Sequence, residues 1–241
     1  MTAPDFALLL PPSEGKAPGG GAPGWDPASG RFGAELGPQR AAVARALARA
    51  RGGDQKLLGV KGEALERAIG ANRRLVGAPC LPAAERFTGV VWDNLDVAGL
   101  PVAARQRAVE SVLVISALGG IVALDDPVPD HRLKLSASLA PVGRLATFWR
   151  PAVTAALHER LAGALVIDLL PGEHAAAWVP DPGRITHRRV RLVGREGEIG
   201  GHFAKAAKGR LARSLLRSAD PERALRRWRD PDFRVEVLPS A

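Results

Sequence analysis

A serine and a lysine stand beside glycines directly after the first apolar run of the chain. The run 6–10 ends at two prolines, and the segment Ser13 to Lys16 (Ser-Glu-Gly-Lys) opens a Gly/Pro-rich loop that continues to Gly24. Glycines let the backbone approach an anion, and a lysine neutralises its charge. The segment therefore favours an anion-binding loop, although the Walker A pattern is absent. The alternative is a flexible surface loop.

A second candidate is a glycine hairpin within residues 54–69. Two short helices are predicted to meet at Gly59, Val60, Lys61 and Gly62. Glycine tolerates the positive φ of such a turn, and amides opening the second helix can face a DNA phosphate. The pattern resembles a helix-hairpin-helix motif, which holds DNA without reading its sequence. A plain corner between two helices is the alternative.

Positive charge is concentrated in the C-terminal third of the chain. The sequence has 34 Lys and Arg against 25 Asp and Glu, a formal net charge of +9. The segment 184–229 alone holds fourteen Lys and Arg against four Asp and Glu. Such a segment indicates a polyanion partner, and we assign Arg210 and Arg213 of its basic helix to DNA. The alternative is a solvated basic surface.

These residues need a framework of strands and helices. Apolar runs predict strands at 6–10, 112–115, 165–170, 187–193 and 233–238. Helical patterns cover residues 38–51, 82–87, 101–110, 148–161 and 204–217. The mixture predicts an α/β (mixed α+β) fold: a single compact domain over residues 1–241 with a mixed sheet, surrounding helices and the hairpin element inside it.

Composition excludes several classes of protein. Hydrophobic residues make up 46% and charged residues 24%, as in soluble globular proteins. No run approaches the roughly 18 apolar residues of a membrane helix, and we expect no secretory leader. The single cysteine, Cys80, excludes intrachain disulfides, and the five histidines show no metal-ligand spacing. We expect a cytoplasmic protein without a membrane partner, metal or cofactor, and its oligomeric state stays open.

The order of several motifs resembles the YaaA family of peroxide-stress proteins over nearly the whole chain. The resemblance rests on segments that correspond to family motifs in the family's order: Pro12 to Lys16, Phe87 to Trp92, Ser116 to Gly120, His131 to Leu133, Phe148-Trp149, Ile167 to His174, and Lys205 to Gly209. Family tyrosines are replaced by Trp92, by Gly119 or Gly120, and by His174. The chain therefore resembles a divergent branch.

The resemblance implies a mixed α/β fold with a helix-hairpin-helix element, DNA binding and a role in limiting oxidative damage during peroxide stress. The family is also associated with lowering free iron, for which the sequence shows no site. In the first functional hypothesis the protein binds DNA phosphates without sequence preference, through Gly59, Lys61 and Gly62 and the basic helix.

The second hypothesis is an enzyme that acts on a nucleotide, a nucleoside or another phosphorylated small molecule. It rests on the polar residues that match the family: Ser13, Lys16, Ser116, Arg132, Glu173, Lys205 and Lys208. DNA binding does not need a carboxylate among basic groups, so Glu173 is the candidate acid or base, with Lys16. The alternative for Glu173 is a buried ion pair with a lysine.

One geometric expectation separates the two hypotheses. If Lys16, Arg132, Glu173 and Lys205 converge on one pocket, a ligand-binding or catalytic site is favoured. If they are spread over a flat basic face, DNA is favoured.

Overall fold

The structure, a computed structural model, describes residues 4–194 and 201–238. The strands of these residues are β1 (Phe6–Leu10), β2 (Cys80–Pro82), β3 (Val112–Ser116), β4 (Gly120–Ala123), β5 (Pro127–Pro129), β6 (Ser138–Leu139), β7 (Gly143–Arg144), β8 (Leu165–Asp168), β9 (Thr186–Gly194) and β10 (Phe233–Leu238). The helices are α1 (Gly33–Arg49), α2 (Gln55–Leu58), α3 (Gly62–Arg73), α4 (Ala83–Arg86), α5 (Val90–Leu95), α6 (Val102–Ser111), α7 (Leu145–Arg160), α8 (Gly172–Ala175), α9 (Gly201–Arg217) and α10 (Pro221–Arg227).

Six strands form the main sheet, in the order β10-β9-β8-β1-β3-β4. The four inner strands run parallel, while β4 and β10 are antiparallel edges. Strand β1 lies in the middle, and Leu8 is in register with Val112 on one side and with Ile167 on the other. Both faces of the sheet are covered, which is why the inner strands read as continuous apolar runs.

Alternate residues of each strand enter two separate cores. Leu9 packs in the core beneath α1 and α7, with Leu47 and Trp149. Leu8 and Leu10 point to the opposite core, which α5, α6 and α9 cover. Successive side chains of a strand face opposite sides of the sheet, so one central strand supports both layers.

A close approach between α5 and α9 fixes the basic helix on the sheet. A Cβ at Gly209 would overlap the carbonyl oxygen of Val91 and the side chain of Asn94, so only glycine fits at this crossing. The contact places the preceding turns of α9 beside the ends of the inner strands. Lys205 and Lys208 stand on those turns.

The predicted mixed α/β fold is confirmed, and β10 has the predicted bounds. Three helices begin earlier than predicted: α1, α7 and α9, the last of which starts at Gly201 and not at Ala204. Helix α1 starts at Gly33, so Pro38 lies in its second turn rather than its first, because the early turns are held by packing of residues such as Leu36. Helix α7 starts at the buried Leu145. Among residues 4–194 and 201–238, no helix has the length and apolar character needed to cross a bilayer.

Candidate functional site

The carboxyl ends of β1 and β8 lie side by side at the point where the order of the strands along the sheet reverses. From β1 the chain builds β3 and β4 on one side, and β8, β9 and β10 lie on the other. Ligands of open α/β sheets bind in the crevice at such a switch point. A cavity of about 620 Å³ opens there, and nine polar or charged residues line its wall: Ser13, Glu14, Thr88, Glu173, His174, Arg189, Arg191, Lys205 and Lys208.

The loop that follows β1 is held by a neighbouring segment. Lys16 forms an antiparallel bridge with Phe87, and the backbone N–H of Thr88 donates to Ser13 Oγ at 3.0 Å. A Cβ at Gly15 would lie 2.9 Å from Thr88 Oγ1, so the loop needs its glycine there. These contacts give the loop a defined path along the cavity wall.

Lys16 turns back onto its own loop beside the cavity. Its Nζ donates to the Ser13 carbonyl at 2.6 Å and lies 5.2 Å from the Phe87 ring centroid. Burial lowers the pKa of Lys16 to about 8, and the charges of Arg132 and Arg86 act in the same direction, against Asp130. The amine is therefore still largely protonated at neutral pH.

Arg132 lies behind Glu14 instead of on the cavity wall. Its Nη2 donates to Glu14 Oε2 at 2.6 Å, and Lys134 Nζ stands 3.6 Å from Glu14 Oε1. Partial burial raises the pKa of Glu14, but Arg132 and Lys134 together outweigh it, so this pKa is lower than usual. Glu14 is consequently an anion that connects the cavity to two cations.

Glu173 and His174 stand together on α8, just after β8. Glu173 is half exposed, and its Oε1 lies 3.6 Å from the buried His174 Nδ1. Burial lowers the pKa of His174 to about 4; Lys208 acts in the same direction and Glu173 opposes it. The imidazole is therefore neutral at pH 7, with one N–H donor and one acceptor nitrogen.

Lys205 and Lys208 bring positive charge from α9. Lys205 is exposed at the mouth, and Lys208 is half-buried and donates to the Leu169 carbonyl at the end of β8. The pKa of Lys208 is lowered to about 8, mainly by burial; Asp168 opposes this, and Lys205 acts in the same direction as burial. The pair can neutralise an anion in the cavity.

Most of the predicted ligand residues lie at the cavity, but only some of them form its wall. Glu173 and Lys205 line the cavity, as do Ser13 and Lys208. Lys16 and Arg132 lie beside it, joined to its wall through the Ser13 carbonyl and the Glu14 carboxylate. Ser116 does not join them: it is 2% exposed, within the sheet at the end of β3, and its Oγ accepts from the Gly119 N–H at 3.4 Å.

The predicted hairpin is an exposed turn between α2 and α3. Gly59 has φ +65° and Gly62 has φ +55°; both are exposed, as is Lys61. Apart from its chain neighbours and the backbone of its own helix, no atom of the described residues lies within 4 Å of the place where a Cβ of Gly62 would stand. Helix α2 is a single turn, and Arg132 Nε donates to the Leu58 carbonyl at its end at 3.1 Å.

Arg210 and Arg213 are engaged within the protein. Arg210 Nη2 pairs with Asp230 Oδ2 at 2.6 Å. Arg213 donates to the carbonyls of Leu95 at 2.9 Å and Gly99 at 2.7 Å, beside an ion pair with Asp96. These side chains hold α9 to its neighbours, so the net charge of the basic segment overstates the charge that its surface presents.

A family model, Peroxide stress protein YaaA, matches residues 7–236. The chain belongs to the YaaA family of peroxide stress proteins. The matched range includes the hairpin and every residue that lines the cavity except Leu238, so the candidate site lies almost entirely inside the shared part of the chain.

Proteins with sequences similar to this YaaA family member span most of its length. A UPF0246 protein of Streptomyces coelicolor is 37% identical over 242 residues, which cover 95% of this chain and 92% of the relative. A UPF0246 protein of Corynebacterium glutamicum is 32% identical over 220 residues, 88% of this chain and 85% of its own. An uncharacterized protein of Campylobacter jejuni is 28% identical over 157 residues, 65% of this chain and 61% of its own.

Sequence reasoning missed several residues of the site. Trp92 and His174 line the cavity, and both could have been selected from the sequence, since they replace tyrosines of the YaaA family. Glu14 stands inside the predicted loop but was not selected. Arg86 had no visible signal: it is completely buried, and it donates to the carbonyls of Val128 at 3.0 Å and Gly19 at 2.8 Å and to that of Ala17.

The thiol of this YaaA family member is not activated. Burial raises the pKa of Cys80, against a smaller lowering by Arg86. The thiolate is the form that reacts as a nucleophile, so a raised pKa disfavours peroxide chemistry at this residue. In the described part of the chain, no three His, Cys, Asp or Glu side chains are placed to hold a metal ion.

Proposed function

We propose that the cavity binds a phosphorylated small molecule and that the protein acts on it as an enzyme. The observation that supports this is the convergence of Ser13, Glu173, Lys205 and Lys208, from three separate segments, on one cavity at the switch point of the sheet. Its volume of about 620 Å³ falls within the usual range of ligand pockets, roughly 300–1,000 Å³.

The cavity wall combines cations that can bind a phosphate with a carboxylate that can act as an acid or base. Lys205 and Lys208 bind the phosphate as cations, since both stand on the same side of α9. Glu173 is the acid or base, because it is half exposed to the cavity and next to a neutral imidazole. Binding of a DNA backbone alone would not require carboxylates on the wall.

The Lys205→Gln variant tests this proposal. We expect inorganic phosphate and ribose 5-phosphate to bind the wild-type protein, and Lys205→Gln to weaken both by about tenfold, because one charge-assisted contact is lost. Isothermal titration calorimetry measures the affinities. Lys56→Gln is the matched control, since Lys56 is an exposed lysine on α2, outside the cavity wall. Equal binding by wild type and Lys205→Gln would contradict the proposal.

We propose as a second function that the hairpin binds DNA phosphates without sequence preference. The open space over Gly62, beside the exposed Lys61, favours it, because a phosphate can approach the amides that open α3. Binding of this kind would hold the protein on duplex DNA during peroxide stress and so limit oxidative damage there.

The Lys61→Glu variant tests the hairpin. For the wild type, log affinity for a random duplex should fall linearly with log salt concentration. Lys61→Glu should weaken binding and make the salt slope shallower by about 1, because one phosphate contact is lost. Fluorescence anisotropy with a labelled duplex at several salt concentrations measures both. Arg45→Glu, an exposed change on α1, controls for net charge. If both variants lose affinity equally, the hairpin is not the DNA site.

A further inference from the structure

We propose that the ligand of the cavity is a nucleotide, whose base is recognised by the indole N–H of Trp92 and the imidazole of His174. The inference rests on the proposed function and names the class of its substrate. It follows from two buried polar atoms, on residues that line the cavity, that have no hydrogen-bond partner among the described residues, and from the kinds of groups around them.

Trp92 lines the cavity and carries a hydrogen-bond donor that no described residue accepts. The residue is 5% exposed, lines the cavity and packs on Phe87 with ring centroids 5.1 Å apart. Its Nε1 is buried and has no hydrogen-bond partner among the described residues. By contrast, the indole N–H of the buried Trp149 donates to the Ala117 carbonyl at 2.9 Å. Buried polar groups in native proteins are almost always paired, so a lone one beside a cavity indicates a ligand or an ordered water.

His174 is the second such residue. Its Nδ1 is buried without a hydrogen-bond partner in the described part of the chain, and the nearest carboxylate oxygen, on Glu173, is 3.6 Å away. Two further unpartnered atoms there, on Gln39 and His187, belong to residues that do not line the cavity. A neutral imidazole is a poor ligand for a phosphate but suits the edge of a base, which alternates donors and acceptors.

The rest of the wall matches the other parts of a nucleotide. Lys205 and Lys208 suit the phosphate, and the carboxylates of Glu14 and Glu173 can accept hydrogen bonds from ribose hydroxyls. Apolar side chains such as Val91 complete the wall and suit the flat faces of a base. A site for phosphate alone would need the lysines but neither the carboxylates nor the indole N–H.

The test compares four nucleotides with ribose 5-phosphate by calorimetry. We expect at least one of AMP, GMP, CMP and UMP to bind about tenfold more tightly than ribose 5-phosphate. Trp92→Phe should remove most of that advantage and leave the affinity for ribose 5-phosphate within about twofold. The variant should still fold, because the indole N–H makes no hydrogen bond to the described residues. Trp228→Phe is the control, since Trp228 is partly buried and does not line the cavity.

A spectroscopic measurement tests the inference without the Trp92→Phe variant. In wild-type protein labelled with ¹⁵N-tryptophan, the indole N–H resonance of Trp92 should move on addition of the tightest nucleotide and stay in place with ribose 5-phosphate. If ribose 5-phosphate binds as tightly as every nucleotide, or if this resonance does not move, Trp92 faces an ordered water only and the inference is wrong, while the proposed function stands. If neither class of compound binds, both are wrong.

Discussion

Replacing Arg86 by methionine is expected to destabilise the protein by about 3–4 kcal/mol and to release the loop that carries Lys16. Arg86 is completely buried, and its guanidinium donates to the backbone carbonyls of Ala17, Gly19 and Val128. Methionine fills much of the same space but donates no hydrogen bond, so several buried carbonyls lose their partner. Each such loss costs about 1–3 kcal/mol, partly offset because a buried charge is removed.

Urea unfolding followed by circular dichroism measures this change in the free energy of unfolding. Arg45→Met is the matched control, because Arg45 is exposed on α1, and surface substitutions of this kind stay within about 0.5 kcal/mol. Arg86→Lys should fall between the two, since it keeps the charge but cannot reach three carbonyls with a planar fork. If Arg86→Met is as stable as Arg45→Met, the carbonyls do not depend on the guanidinium.

Replacing Lys208 by methionine is expected to weaken binding of ribose 5-phosphate by about 10- to 100-fold at pH 7. Burial lowers the pKa of Lys208 from the usual 10.5 to about 8. The amine is thus a cation below pH 8 and loses its charge as the pH rises through 8. Affinity for the phosphate should therefore fall between pH 7 and 9.5 in the wild type, and this fall should largely disappear in Lys208→Met.

Calorimetric titrations at pH 7, 8 and 9.5 measure the effect. Lys16 is the necessary comparison, because burial also lowers its pKa to about 8. Unlike Lys208, it does not line the cavity, and its Nζ donates to the Ser13 carbonyl beside it. Lys16→Met should keep the fall in affinity above pH 8 if Lys208 is the phosphate ligand. If Lys16→Met abolishes the fall and Lys208→Met retains it, the roles of the two lysines are reversed.

Some elements of this YaaA fold were predictable from the local sequence, and others were not. The inner strands were predictable because both faces of the sheet are covered, and continuous apolar runs such as 6–10 and 112–115 follow from that burial. The hairpin glycines were predictable because a tight turn needs positive φ, which both adopt. The starts of α1 and α7 were not, since packing against distant residues extends each helix beyond its local signals.

The residues of the candidate site were likewise predictable only in part. The mixed α/β class, the family and the polar residues that follow the strands were predictable from the sequence, because each depends on short segments or on their order. The pairing of β8 with β1 could be known only from the tertiary structure, and it brings Glu173 and Ser13 to the same cavity. The tertiary structure also decided that Arg210 and Arg213 are engaged within the protein and that Ser116 is buried in the sheet. A side chain's type is local, but its partner is fixed by contacts between residues far apart in the chain, and these form only when the whole sheet and both helical layers are packed.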